Sequence, residues 1–334
     1  MTHAPSQVWQ KGDGYHLEVL RNPWYRSVAR LQNTISEGTV DFWRRRDGHT
    51  LHLPVTTGSI SSPMGRGSDS LPVEVDLMGA ATYLADSMQF MLEFGVRLTG
   101  RDTYYVMPSF RGEDADARHL CQFFHSEAEI AGGLPDVMQV VEQYLQALAR
   151  ALLERDADVI RDCGGDLARI EELASGRTFQ RLSFDEAADL VGSAGIEERS
   201  EWRELTREGE RLLLRKLGDF VWVTHWDHLA VPFYQAFGDA TRRTAGNADL
   251  LFGIGEVVGA GERHATADDV RVALALHEVD PEPYAWYLDM RAAQPLQTSG
   301  FGLGIERLLM WLLDHDDIRD MQLLPRRNGV SIVP

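Results

Sequence analysis

Two strand-like runs, residues 104–111 and 121–130, stand on either side of a short polar loop, residues 112–119. Runs so close in sequence can pair only as an antiparallel hairpin, because a parallel partner needs a crossover of about a dozen residues or more. Apolar residues recur at helical spacing over 15–36, interrupted near Pro23, and over 83–98 and 134–155. The charged stretch 156–215 reads as helical, most clearly near 185–193 and 208–217. Residues 220–224 and 248–259 read as strands, and helices return at 267–276, 281–292 and 303–313. Strand pairs with helices between and after them predict an α+β fold, an antiparallel sheet flanked by helices, rather than a doubly wound parallel sheet. The Rossmann and P-loop glycine fingerprints are absent. With no repeat, low-complexity tract or long Pro/Ser linker, residues 1–334 are expected to form one domain with a helical insertion at about 131–217.

The hairpin also concentrates chemistry. Residues two apart on a strand share a face, so Arg111 and Glu113 point one way, as do Phe123, His125, Glu127 and Glu129 on the returning strand. Arg118 and His119 lie on the loop between. Such a grouping suits a nucleotide, with Arg111 clamping a phosphate, a ring stacking on the base and loop cations meeting the outer phosphates. The same charges also fit a solvated surface hairpin. Further on, glycines alternate through Gly300-Phe301-Gly302-Leu303-Gly304 and lead into an apolar helix with Arg307 in its first turn. Glycines there permit close backbone approach to a ligand, or simply mark a helix start beside a surface Glu306–Arg307 pair. Between these stretches, Asp249 and Glu256 stand seven apart among glycines. Converging carboxylates suit Mg²⁺, a hard cation that takes oxygen ligands. Strict alternation puts them on opposite faces, and a bulge near Gly253 or Gly255 would realign them. A strand with exposed acids is the other reading.

The balance of 33 Lys+Arg against 51 Asp+Glu gives −18 and speaks against a broad nucleic-acid surface. Only Arg44–Arg46 forms a dense basic stretch, with Arg242–Arg243 a smaller one, although a local patch is enough for binding. Two cysteines, Cys121 and Cys163, supply neither a disulfide framework nor a thiolate metal cluster. No run approaches the ~18 apolar residues of a membrane span, and residues 1–14 lack a signal-peptide pattern, so a cytoplasmic protein is expected.

Residues 110–113, 118–120 and Phe123 together are similar to motif 2 of class II aminoacyl-tRNA synthetases, and residues 123–129 look like its asparaginyl branch. Residues 300–307 resemble motif 3. The resemblance implies a class II synthetase-type antiparallel sheet and an ATP site. In it Arg111 holds the α-phosphate and acyl carboxylate, Glu113 accepts from the adenine amino group, and Phe123 and Arg307 sandwich the ring. Arg118 and His119 meet the γ-phosphate, and Gly302 and Gly304 let the nucleotide approach. Arg111, Glu113 and Arg307 form the catalytic set. Residues 249–263 look like the metal strand of aspartyl and asparaginyl synthetases, which implies Mg²⁺ on Asp249 and Glu256 and the substrate side chain on Arg263.

Residues 83–93 resemble the substrate-side helix of the same branches, so Ser87 and Gln89 are expected near the α-amino group. Leu92 stands where aspartyl enzymes carry a lysine, and a buried carboxylate without that cation is costly. Glu127 is expected to accept from a side-chain amide or hold the ammonium. Asparagine or a similar neutral amino acid is therefore favoured over aspartate.

Several departures accompany the match. The hairpin loop is one residue shorter than usual, Gly259 replaces a serine, and His264 follows Arg263 by one residue where the family has a histidine at two. Residues 53–60 resemble motif 1, with Pro54 as its dimer-interface proline, a preceding strand near 41–43, and Ser61-Ser62-Pro63 following. That implies a homodimer. With motif 1 beginning near residue 40, no N-terminal OB-fold anticodon barrel is expected. The implied activity is an ATP-dependent ligase in which the α-carboxylate of a small amino acid attacks the α-phosphorus, releasing pyrophosphate. Ammonia, a small molecule or a carrier is the expected acceptor. Aminoacylation of tRNA is an alternative that the acidic balance disfavours. A silent regulator binding an amino acid or nucleotide is another, against which the full set of ATP residues speaks.

Overall fold

The computed structural model describes residues 3–10, 14–61 and 71–330. Its centre is an eight-stranded sheet. In spatial order the strands are β1 (His49–Thr50), β5 (Thr103–Phe110), β6 (Gln122–Ala131), β13 (Thr298–Gly304), β12 (Gly255–Glu262), β11 (Asn247–Phe252), β10 (Val221–Thr224) and β7 (Gln180–Ser183). The end pairs β1–β5 and β10–β7 are parallel and the pairs between them antiparallel. A small sheet joins β2 (Thr56–Thr57), β4 (Ala80–Leu84) and β3 (Val73–Leu77), and β8 (Ile196–Glu198) pairs with β9 (Arg203–Leu205). Among the described residues no helix is long and apolar enough to cross a membrane.

Alternation along the strands divides the sheet into two unlike faces. Ala128 and Ile130 of β6 and Phe301 and Leu303 of β13 enter the main core with the long helices α2 (Pro23–Arg45) and α4 (Leu134–Asp162) and with α10 (Ile305–Leu312). Asn22 starts α2 by accepting from the Trp24 N–H at 2.9 Å, and Pro23 follows at a position where it needs no partner for its missing N–H. This cap separates α2 from α1 (Tyr15–Arg21). Gly38 lets α4 approach closely, since a Cβ there would meet Leu148 at 3.0 Å. The other face carries α3 (Gln89–Thr99) over β5 and β6. Beside it α8 (Ala267–Leu276) and α9 (Ala285–Ala293) form a second apolar cluster with Phe90 and Phe233.

The structure corrects several expected boundaries. Residues 41–43 belong to α2, because Trp43 continues the buried stripe of Val28, Leu31 and Ile35, and the motif 1 strand begins only at His49. Residues 80–84 form a strand and the helix starts at Gln89. Residues 248–259 are a hairpin rather than one strand, turning at Gly253 (φ +60°) and Ile254. The segment 131–217 includes α4, α5 (Leu167–Ala174), α6 (Phe184–Val191) and α7 (Arg207–Leu217), but also β7, β8 and β9, three to four residues each and too short to show a period. β7 joins the main sheet. Ser62 and Pro63 lie outside the described residues.

Candidate active site

The apolar residues of β6 and β13 face the core, which turns their alternate residues to the open face. There Glu127 and Glu129 stand beside Gly302 and Gly300, paired across the ladder. A Cβ on Gly302 would meet Glu127 Oε1 at 3.2 Å, and one on Gly300 would run into the Glu129 carboxyl. The glycines therefore make a trough in the sheet, and two cavities open over it.

The first, about 310 Å³, brings together Arg111, Glu113, Arg118, His119, Phe123, Glu256, Gly302, Gly304 and Arg307, every residue expected at the nucleotide. The second, about 280 Å³, brings together Ser87, Gln89, Glu127 and Arg263 with the acids Asp249 and Glu256. Arg111, His125, Glu256 and Gly302 line both. The cavities thus adjoin at an arginine, a histidine, a carboxylate and a glycine.

Several polar atoms of the first cavity are buried without a hydrogen-bond partner among the described residues. They are Arg111 Nε, Glu113 Oε2 and Arg118 Nε and Nη1. Orphaned donors and acceptors of this kind mark a place for a polar ligand. Their other contacts hold them in position. Glu113 Oε1 accepts from the Leu71 N–H at 2.9 Å. Arg118 Nη2 donates to the Ile254 carbonyl at 2.6 Å, with Glu210 of α7 3.6 Å away. The Arg111 guanidinium lies 5.5 Å from the centre of the Phe123 ring, and Arg307 Nη1 donates to the Glu256 carbonyl at 2.6 Å. Glu306 faces away from solvent and accepts from the Phe124 N–H and from Gln322 Nε2, and its burial pushes its pKa to about 7.

In the second cavity Arg263 is almost fully buried. Its Nε and Nη2 donate to Glu129 Oε1 at 2.9 and 2.6 Å, its Nη1 to Gln235 at 3.0 Å and its Nη2 to Gln89 at 3.1 Å. Burial opposes the guanidinium charge, and Glu129 beside it more than compensates, so its pKa is raised. Ser87 and Tyr105 both donate to Glu127 Oε2. Burial pushes the Glu127 carboxyl to about 8, which keeps it protonated near neutral pH. Leu92 does not line the cavity. It packs with Ala85, Met88 and Tyr105 in a small core beneath α3. His264 is likewise turned away and bonds the Phe233 carbonyl.

Asp249 and Glu256 converge through irregularity in the hairpin, where the β11–β12 register shifts between Leu250 and Leu251. Gly259, opposite Asp249, leaves the space between them. A Cβ there would meet Glu256 Oε1 at 3.2 Å and Asp249 Oδ1 at 3.7 Å. Burial, then Glu256 and Glu210, push the Asp249 carboxyl well above the usual range. Glu210, buried and repelled by Glu256, is itself raised to about 7. Neither Glu210, Tyr105 nor Gln235 stood out in the sequence, and Glu306, read there as half of a surface pair, is buried. Glu210 is one of two acids on a helix with four basic residues, and Tyr105 and Gln235 reach the site only through strand pairing and loop folding.

Residues 13–328 match the family described as tRNA synthetases class II (D, K and N). The chain belongs to that family. This synthetase-family chain is 31% identical over 324 residues to the asparagine–tRNA ligase of Thermococcus gammatolerans, covering 94% of its own length and 72% of that relative. It is 30% identical over 326 residues to the enzyme of the same name from Pyrococcus abyssi, with shares of 94% and 71%. Its fold is similar to the crystal structure of Pyrococcus horikoshii asparaginyl-tRNA synthetase complexed with asparaginyl-adenylate, at TM-score 0.87 and 26% identity over 98% of this chain and 76% of that one. As a member of the class II synthetases, it is an ATP-dependent ligase that activates an amino acid as an adenylate with release of pyrophosphate.

Proposed function

We propose that this chain forms asparaginyl-adenylate from asparagine and ATP and passes the acyl group to a tRNA. The observation that carries the reading is the meeting of the two cavities at Arg111 and Glu256. A nucleotide in the first and an amino acid in the second bring the α-carboxylate and the α-phosphorus together there, so positioning supplies much of the catalysis. The adenine lies between Phe123 and Arg307, with its amino group toward the orphaned Glu113 Oε2. Arg111 holds the α-phosphate, and Arg118 and His119 take the outer phosphates. Glu113, with Arg111 and Arg307, completes the catalytic set.

The substrate's ammonium sits by Ser87 and Gln89, and its side-chain amide faces Arg263 and Glu127. A neutral amide is favoured because the Arg263 guanidinium is already hydrogen-bonded to Glu129, Gln235 and Gln89 and burial keeps the Glu127 carboxyl protonated near neutral pH. Asp249 and Glu256 would hold Mg²⁺, with Gly259 leaving room between them. Mg²⁺ takes oxygen ligands and keeps several waters, so two carboxylates would suffice as its protein ligands. When bound, the ion neutralises phosphate charge.

The relatives' names favour tRNA over the ammonia, small-molecule or carrier acceptor suggested by the acidic balance. The chain is further read as a homodimer in which a second copy covers β1, the end strand of the main sheet beside Pro54. ATP–pyrophosphate exchange across the amino acids tests the activation step, and addition of tRNA, ammonia or hydroxylamine tests the acceptor. Exchange with asparagine and acyl-tRNA formation are expected. Exchange with no amino acid refutes the reading, and product with ammonia but not tRNA reverses the choice of acceptor.

A further inference from the structure

Of the four residues common to both cavities, Arg111, Glu256 and Gly302 already have parts in the reading above, and His125 has none. Its ring stands edge-on to Phe123, with centroids 4.7 Å apart at 87°. The Nδ1 atom lies 2.9 Å from Ser109 Oγ and 3.3 Å from Glu127 Oε1. The Nε2 atom makes no hydrogen bond among the described residues.

The neighbours fix the tautomer. Ser87 and Tyr105 both donate to Glu127 Oε2, so the proton of this buried acid resides on Oε1, the oxygen facing Nδ1. The Ser109 hydroxyl also has a proton to give. Nδ1 is therefore an acceptor, and the ring's own proton resides on Nε2. Burial first, then Arg111 and Arg307, push the His125 pKa down to about 3, so the ring stays neutral.

We propose that His125 is a catalytic residue of adenylate formation, its neutral Nε2–H donating a hydrogen bond to a non-bridging oxygen of the α-phosphoryl group. The proposal rests on the adenylation reading. In the step, a carboxylate oxygen of the amino acid forms a bond to the α-phosphorus. The bond from that phosphorus to the α–β bridging oxygen breaks, and pyrophosphate leaves with the electron pair. No proton moves at His125. Its contribution is a fixed dipole aimed where negative charge gathers. Ser109 and Glu127 are positioning residues that hold the tautomer.

The test is ATP–pyrophosphate exchange with asparagine for His125→Ala, His125→Leu and His125→Gln, each also melted to establish folding. His125→Ala and His125→Leu are expected to lower kcat about 10²-fold, as loss of one transition-state donor does. KM for ATP and asparagine should stay within about threefold. His125→Gln, which retains an N–H donor, is expected to recover about tenfold of that loss. Since the ring carries no titrating proton and Glu127 keeps its own until about pH 8, the deficit stays constant between about pH 6 and 7. A kcat within about threefold of wild type in the folded Ala or Leu variant overturns the proposal, as does a loss confined to KM. A Gln variant no better than Leu, or a deficit that grows with pH, does the same. Absence of exchange in the wild-type protein instead defeats the adenylation reading beneath it.

Discussion

Gly300 and Gly302 face the same trough two residues apart on β13, yet an alanine at each meets different surroundings. A Cβ on Gly300 falls against the Glu129 carboxyl and 2.6 Å from the Ala128 carbonyl oxygen. That carbonyl is held by the ladder in which Gly300 pairs with Glu129 and Phe301 with Ala128. Glu129 must therefore move, and it is bound to Arg263 at 2.6 and 2.9 Å. Overpacking a close-packed interior costs about 1–3 kcal/mol, and uncoupling a buried ion pair about 3–5 kcal/mol. Because one movement relieves the first by incurring the second, Gly300→Ala should cost about 3–5 kcal/mol in all. At about 2.1 cal/mol/K per residue the 334-residue chain has an unfolding entropy near 0.7 kcal/mol/K, so its melting temperature should fall by about 4–7 °C.

A Cβ on Gly302 meets Glu127 Oε1 at 3.2 Å and Cγ at 3.6 Å, contacts that a small side-chain rotation relieves. Gly302→Ala should melt within about 2 °C of wild type. Its methyl nevertheless stands on the floor of both cavities, and the KM for ATP should rise about tenfold. Scanning calorimetry measures the first quantity and pyrophosphate exchange the second. A Gly300→Ala protein that melts with the wild type, or a Gly302→Ala protein less stable than Gly300→Ala, refutes the trough as the reason for these glycines.

Arg111→Ala should reduce exchange at least about 10²-fold, as removal of one preorganised charge contact does, and unchanged exchange removes the hairpin from the mechanism. Asp249→Asn removes one of three mutually repelling carboxylates, so the metal-free variant should gain about 1–2 kcal/mol in urea unfolding while losing the stabilisation that Mg²⁺ with ATP gives the wild type. The buried acids also predict a pH dependence. The stability they contribute is whole below their ordinary value near 4.5 and is lost as pH rises through about 7 for Glu306 and about 8 for Glu127. Between about pH 6.5 and 8 the chain should lose about 2–3 kcal/mol of stability, and Glu306→Gln should flatten the profile; a wild-type profile that rises over this window contradicts the assigned protonation.

What the sequence revealed divides along physical lines. The 104–130 hairpin was legible because its loop is short and its strands long, so their pairing is local. The residues that line the first cavity were legible because two compact stretches carry most of them. Asp249 and Glu256 needed an irregularity that the glycines announced, and the structure supplies it as a register shift followed by a turn. Glu210, by contrast, is one acid on a helix with four basic residues, and nothing local separates it from solvated neighbours. Leu92 was read as a position without the charge to meet a carboxylate, and its place in the small core beneath α3 agrees with that. The strand near 41–43 failed because helix α2 continues its buried stripe through Trp43, a period visible only when followed past residue 36.

The two-residue period of β6 and β13 binds fold and chemistry together. On one face Ala128, Ile130, Phe301 and Leu303 are apolar and buried, and on the other Glu127, Glu129, Gly300 and Gly302 shape the trough. A slip of one residue by β6 would drive two carboxylates into the core, and a slip by β13 would turn Phe301 and Leu303 into the cavities. The cost of burying unpaired acids in the apolar layer is several kcal/mol each, which pins the register. Once pinned, that register sets Glu127 opposite Gly302 and leaves its Oε1 facing His125. The same two-residue period therefore serves both ends, with the buried-face residues of these strands holding the sheet in register and the open-face residues shaping the trough.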